Sequence, residues 1–213
     1  LRDDNLSLLN PISFSHLSTN LKILNFKNSF GIFNLLKSEN YTNLIEFYLS
    51  PSVYFYDQIL FFPNSLKLEN LFLSKLNISG KILEENFQFN LFSLLKKLDL
   101  SQNSIEYLPK NIFIYNEMMN FLNLSQNKLK LIDFQDFFGF VNLNFDFSYN
   151  LINFTIFKIN LFKMYEKIKL SNNKLEVYNF EYLRFLEMVL KLDLSYNLIR
   201  NFTYSKTKLY SYL

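Results

Sequence analysis

The sequence predicts an α/β solenoid with a parallel sheet on its concave face and an irregular or short helical convex side. Two observations support this prediction: one motif recurs eight times along the 213 residues, and its period is nearly constant. Seven of the copies space three apolar residues as apolar-x-x-apolar-x-apolar, and the copy at Phe145 and Phe147 has Asn142 at the first position. An Asn commonly stands three positions after the last apolar residue. Self-similarity at a fixed period is typical of a solenoid, in which each repeat packs only on its neighbours.

The period is measured at the last apolar strand position, which is Leu100 in the clearest copy, LKKLDLSQNSI (residues 95–105). This position recurs at 26, 49, 73, 100, 124, 147, 170 and 194, at intervals of 23, 24, 27, 24, 23, 23 and 24 residues. The three upstream copies are weaker, because Ser29, Ser52 and Leu76 stand where Asn is expected. We therefore expect eight rungs, of which the last five are the most regular.

Each apolar-x-apolar core should form a short strand, because alternate residues of a strand point to the same face. Stacked units pair these strands in parallel, and the remainder of each repeat returns the chain to the next strand. The recurring Asn falls at the turn after the strand, where a side-chain amide can satisfy unpaired backbone groups. We interpret these residues as a structural ladder with no catalytic role: Asn103, Asn127, Asn150, Asn173 and Asn197.

The repeat pattern extends over the whole chain, so we expect residues 1–213 to form one domain of about eight full repeats with partial repeats at the termini. Neither terminus has the polar capping repeat that an isolated solenoid needs for solubility. The pattern therefore predicts a fragment of a longer array.

Composition and charge argue against several classes of function. No run of 18 apolar residues occurs, so we predict no membrane insertion within this segment. With no Cys, and with His16 as the single His, the chain lacks a Cys nucleophile, a Cys-containing zinc site and a His-Glu-x-x-His motif. Gly31, Gly80 and Gly139 are isolated, which excludes a Gly-rich phosphate loop. We predict no enzyme, no metal site and no cofactor.

The outward positions of the strands form two columns, which we expect to line the concave face. Aromatic side chains in these columns are of the type that anchors protein interfaces, although a Phe-rich composition with no ligand is an alternative explanation. Acidic residues interrupt the lysines, which favours a protein ligand over nucleic acid. The predicted partner-binding residues are Tyr48, Phe72, Asp99, Phe121, Asp146, Lys167, Lys169 and Asp193.

The chain contains several Asn-x-Ser/Thr sequons, the acceptor motif for N-glycosylation in secreted proteins. Asn123 is expected in the middle of a strand, where a glycan would obstruct the concave face. Four others follow strands, in positions that can accommodate a glycan, and are the candidate glycosylation sites: Asn40, Asn77, Asn153 and Asn201.

The strings LDLSQNSIEYLPKNIF, LNLSQNKLKLIDFQDFF and LDLSYNLIRNF resemble the 23-to-24-residue class of leucine-rich repeat, which is common in ectodomains of Toll-like receptors and related cell-surface proteins. The resemblance covers essentially the whole chain and is clearest from Leu95 onward. It implies a receptor-like, protein-binding arc from a secreted, cell-surface or membrane-anchored protein. A cytoplasmic scaffold or adaptor, which the lack of Cys would suit, and a nucleic-acid-sensing ectodomain are the alternatives. The oligomeric state is left open.

Overall fold

The computed structural model describes residues 20–27, 41–50, 67–87, 89–137, 143–156, 165–176 and 189–200. These ranges contain ten strands, all short. The strands are β1 (Ile23–Lys27), β2 (Glu46–Ser50), β3 (Asn70–Phe72), β4 (Lys97–Asp99), β5 (Phe121–Asn123), β6 (Leu131–Asp133), β7 (Asn144–Asp146), β8 (Phe154–Ile156), β9 (Tyr165–Lys169) and β10 (Val189–Asp193).

Eight of the strands form one parallel sheet in the order β1-β2-β3-β4-β5-β7-β9-β10. Equivalent positions of successive repeats lie side by side in this sheet. For example, Leu98 pairs with Leu71 on one side and with Leu122 on the other. The eight strands are those of the eight sequence copies, in chain order, so the predicted solenoid with a parallel sheet is confirmed.

The core lies behind the sheet, where the inward side chains of all repeats meet. Leu98 and Leu100 are fully buried, and so are their counterparts in the neighbouring repeats. Phe replaces Leu at several of these positions, and the rings pack in tilted and edge-to-face pairs, such as Phe137 on Phe145 with centroids 4.8 Å apart. Complete burial of such a side chain contributes about 1.5–3 kcal/mol. The buried phenylalanines at strand positions are Phe26, Phe47, Phe145 and Phe147.

Short helices occupy part of the convex side, as predicted. Helix α1 (Gly80–Asn86) begins after Ser79, whose hydroxyl caps it by accepting a hydrogen bond from the N–H of Ile82 at 3.2 Å. This helix lies in the repeat with the 27-residue interval, so the extra residues form the helix without disturbing the strand register. Two 3-10 helices follow at Phe89–Leu91 and Phe134–Phe137. No helix in the described part of the chain is long and apolar enough to cross a membrane.

A second, two-stranded parallel sheet is also present on this side, and the sequence pattern did not predict it. Strands β6 and β8 pair Leu131 with Phe154 and Asp133 with Ile156. In β6 the buried Ile132 stands between the exposed Leu131 and the half-buried Asp133, a period-2 pattern that suits a strand. The convex side is therefore partly extended as well as irregular and helical.

Candidate functional site

Buried asparagines hold the turns that follow the strands. Asn127 Oδ1 accepts a hydrogen bond from the N–H of Ile105 in the preceding repeat at 3.0 Å. Its Nδ2 donates to the carbonyls of Leu100 and Leu124 at 3.0 Å, and to that of Ser125 at 3.2 Å. One side chain thus joins two repeats. The other four predicted ladder residues make equivalent contacts: Asn103, Asn150, Asn173 and Asn197.

The residue before each ladder asparagine adopts a left-handed backbone conformation, with φ between 54° and 56°. These residues continue the backbone hydrogen bonding between repeats, as when the N–H of Gln126 donates to the carbonyl of Ser148 at 2.9 Å. None of them is Gly, the residue that adopts this conformation most readily. They form a column at the carboxyl end of the strands: Gln102, Gln126, Tyr149, Asn172 and Tyr196.

The outward residues of the sheet stand in two continuous columns, which together we name the concave face. The inner column aligns the residue that lies between the two strand apolars in every repeat: Asn25, Tyr48, Phe72, Asp99, Asn123, Asp146, Lys169 and Asp193. The outer column lies two positions earlier on each strand: Ile23, Glu46, Asn70, Lys97, Phe121, Asn144, Lys167 and Lys191. All eight predicted partner-binding residues therefore lie on one surface.

Tyr48 and Phe72 form a stacked pair in the inner column. Their ring centroids are 4.3 Å apart and the ring planes are 1° from parallel. The hydroxyl of Tyr48 donates to Glu46 Oε2 at 2.9 Å, and Asn70 Nδ2 donates to Glu46 Oε1 at 3.1 Å. Partial burial, followed by the hydrogen bond and negative charge of Glu46, raises the pKa of Tyr48 above its usual value. The pair is thus held in place before any ligand arrives.

The carboxylates of the inner column have a structural function that the sequence pattern did not reveal. Asp99 Oδ1 accepts a hydrogen bond from the N–H of Ser101 at 2.8 Å, which closes an Asx turn at the end of the strand. Asn123 makes the same bond to Ser125 at 3.1 Å, and Asp146 and Asp193 make it to the serines two residues ahead. The recurring string Asp/Asn-x-Ser was the sequence signal for these turns.

Lys169 stands where the other late repeats have Asp or Asn, and it pairs with its neighbour in the sheet. Its Nζ lies 2.7 Å from Asp146 Oδ2. Asp193, on the other side, accepts hydrogen bonds from the hydroxyl and the N–H of Ser195. These bonds, followed by the nearby Ser171 and Lys169, lower the pKa of its carboxyl. The positive charge of Lys169 is therefore largely neutralised within the sheet.

Two of the four candidate glycosylation sites lie in the described ranges, and both are exposed. Asn77 Oδ1 accepts a hydrogen bond from the hydroxyl of Ser104 at 2.7 Å, and Asn153 directly precedes β8. Asn40 and Asn201 lie outside the described residues, as does His16. No cluster of three or more His, Cys, Asp or Glu side chains that could hold a metal ion occurs among the described residues.

Comparison with solved structures identifies the fold. An internalin (InlF) from Listeria monocytogenes superposes with a TM-score of 0.60 at 19% identity, over 92% of this chain and 54% of that one. TLR13 in the TLR13–ssRNA13 complex superposes with a TM-score of 0.60 at 22% identity, over 85% of this chain and 26% of that one. The APL1 leucine-rich repeat domain superposes with a TM-score of 0.56 at 18% identity, over 84% of this chain and 50% of that one. No protein-family model matches the chain, and no curated protein matches it in sequence.

These similarities define the fold. The chain has the leucine-rich repeat fold, with its parallel sheet on the concave face, as its sequence motifs indicate. It spans about half the length of the InlF and APL1 chains and about a quarter of the TLR13 chain. The identities are too low to transfer any activity from these proteins, so function has to be argued from this chain's own surface.

Proposed function

We propose that this chain is a protein-binding leucine-rich repeat module that engages its partner through the concave face. The observation that most favours this function is the stacked pair of Tyr48 and Phe72. Aromatic side chains at the centre of a contact are the commonest hot-spot residues of protein interfaces. A rigid, stacked pair also loses little conformational freedom when a partner covers it.

The surroundings of the pair fit a protein partner better than a nucleic acid. Glu46, Asp99, Asp146 and Asp193 share the concave face with the lysines, and Lys169 is already paired with Asp146. Phosphate binding depends on uncompensated positive charge. TLR13 was solved in complex with a single-stranded RNA, but that protein shares only the fold with this chain. Nucleic-acid sensing is therefore the weaker candidate.

We further propose that the module is part of a cell-surface or secreted recognition protein, and that it is not an enzyme. The exposed sequons at Asn77 and Asn153 support this location, because each can carry a glycan without covering the concave face. Expression through a eukaryotic secretory pathway, followed by enzymatic removal of N-glycans, tests it. We expect glycans at Asn77 and Asn153 and none at Asn123. Occupancy at Asn123, or no glycan at any site, would favour the intracellular scaffold.

The test of concave-face binding compares two double variants of the full chain. Proteins captured by the immobilised chain are purified, and their Kd values are measured for the wild type, for Tyr48→Ser with Phe72→Ser, and for a control. The control is Tyr115→Ser with Met118→Ser, since these two side chains are 62% and 54% exposed but lie outside the sheet. We expect the concave variant to weaken binding at least ~30-fold, about 2 kcal/mol, and the control to change it little. The reverse order would refute the proposed site.

A third variant addresses nucleic acid. Lys167 and Lys191 are neighbours in register and have no ion pair in the described part of the chain, unlike Lys169. Replacing both with Glu should alter a protein ligand's affinity less than the aromatic variant does. A larger effect, accompanied by a steep salt dependence of binding, would instead indicate a phosphate backbone.

A further inference from the structure

Phe72 is half-buried, and among the described residues only Tyr48 stacks on its ring. The centroid separation of 4.3 Å between Tyr48 and Phe72 is close to the spacing of neighbouring strands, about 4.8 Å. The planes of the two rings are therefore roughly perpendicular to the direction in which the strands stack. Since Tyr48 covers the face of Phe72 on the β2 side, the other face is turned toward β4, and no other ring among the described residues contacts it.

Asp99 stands on β4 directly beside that face, because it pairs in register with Phe72. Its Oδ1 is used by the turn to Ser101, but its Oδ2 has no partner among the described residues. The carboxylates of Asp146 and Asp193 differ in this respect. Asp146 is neutralised by Lys169, and Asp193 accepts two hydrogen bonds from Ser195 and lies near the same lysine. Asp99 is thus the uncompensated anion of the inner column.

Lys97 is the nearest cation along the same strand, and it forms no ion pair with Asp99. A neutral aromatic or aliphatic guest over Phe72 would remove water from Asp99 and leave its charge unpaired, which is costly. An arginine side chain avoids this cost. Its planar guanidinium stacks on an aromatic face while its N–H groups bond a carboxylate at the edge, whereas the ammonium of lysine provides a point charge.

We propose that the concave face binds an arginine side chain of its protein partner, stacked on the open face of Phe72 and paired with the carboxylate of Asp99. This inference rests on the proposed function and specifies the chemistry of the partner at that site. The partner surface opposite β3 and β4 is therefore basic and exposes at least one arginine.

The test uses random twelve-residue peptides displayed on phage and selected against the immobilised full chain. Selected peptides are synthesised, and their Kd values are measured with the wild type, with Asp99→Asn, and with Glu117→Gln as a control that removes an exposed carboxylate outside the sheet. Asn123 shows that an Asn in this column makes the same turn hydrogen bond, so Asp99→Asn removes the charge and keeps the turn. Each peptide is also made with its arginine replaced by lysine or by the neutral, planar citrulline.

We expect arginine to be enriched in the selected peptides. Asp99→Asn should weaken their binding at least tenfold, whereas Glu117→Gln should change it less than twofold. Replacing the arginine with citrulline should weaken binding to the wild type but should not weaken binding to Asp99→Asn any further. This non-additivity would show that the arginine and Asp99 interact directly. This inference would be overturned, and the proposed function left standing, by peptides without arginine whose affinity falls in Tyr48→Ser with Phe72→Ser but not in Asp99→Asn. Peptides indifferent to Tyr48 and Phe72, or no selected peptides at all, would count against both.

Discussion

Replacing Asn127 with Ala tests how the repeats are joined. The side chain is 8% exposed and makes hydrogen bonds to four backbone groups. Three of these groups are carbonyls, and each keeps another donor in the variant. The carbonyl of Leu100 also accepts from Asn103, and that of Leu124 also accepts from Asn150. The carbonyl of Ser125 also accepts from the N–H of Gln102. The fourth group, the N–H of Ile105, loses its acceptor in a fully buried position.

A buried N–H with no partner costs about 1–3 kcal/mol, which is the expected loss of stability in Asn127→Ala. Asn123→Ala is the matched control. Asn123 is half-buried, and the bond from Ser125, which water can replace, is the only hydrogen bond its side chain makes with the described residues. Its cost should stay below about 1 kcal/mol. Because repeat arrays often unfold in stages, hydrogen exchange should accompany the denaturant melts.

In Asn127→Ala, protection of the Ile105 amide should fall, whereas the amide of Ser104, which donates to the carbonyl of Ile78, should keep its protection. Equal losses of stability in the Asn127 and Asn123 variants, or an unchanged exchange rate at Ile105, would refute the assignment of Asn127 to the joint between repeats.

Three further predictions concern backbone conformation, charge and close packing. Gln126 has a φ of 56°, so the β-branched Gln126→Val should cost about 1–2 kcal/mol in a denaturant melt, and Gln126→Gly should not destabilise. The lowered pKa of Asp193 means that its contribution to stability is present above its unfolded pKa and is lost as the pH falls through its folded pKa; Ser195→Ala should raise that pKa in an NMR titration. Gly80→Ala should destabilise by about 1–3 kcal/mol, because its Cβ would lie 2.7 Å from the ring and 2.8 Å from the carbonyl oxygen of Tyr107, and truncating that ring should rescue it only partly.

The period of the motif predicted the sheet and its register, because each strand can bury its apolar residues only when it aligns with the equivalent strand of the next repeat. The same alignment of equivalent positions brings Tyr48 beside Phe72 and Asp146 beside Lys169 in the sheet. The interval of 27 residues before Leu100 signalled an irregular repeat but not the helix that fills it.

Features that depend on side-chain conformation were not predicted. The parallel stacking of Tyr48 on Phe72 and the 2.7 Å contact between Lys169 and Asp146 require particular rotamers, which the spacing of residues does not determine. The pairing of β6 with β8 also escaped prediction, because three residues are too few for a period-2 pattern to be recognised in a sequence. That Asp99 has no ion pair with any described residue became visible only when its neighbours had been placed.

The central claim, that a protein partner covers the concave face at Tyr48 and Phe72, is tested most directly by hydroxyl-radical footprinting of the chain with and without a captured partner. The oxidation rates of Tyr48 and Phe72 should fall several-fold in the complex. Those of the control residues Tyr115 and Met118, which are exposed outside the sheet, should remain unchanged. Protection of Tyr115 and Met118 with unaltered oxidation of Tyr48 and Phe72 would contradict the claim and locate the partner on another surface.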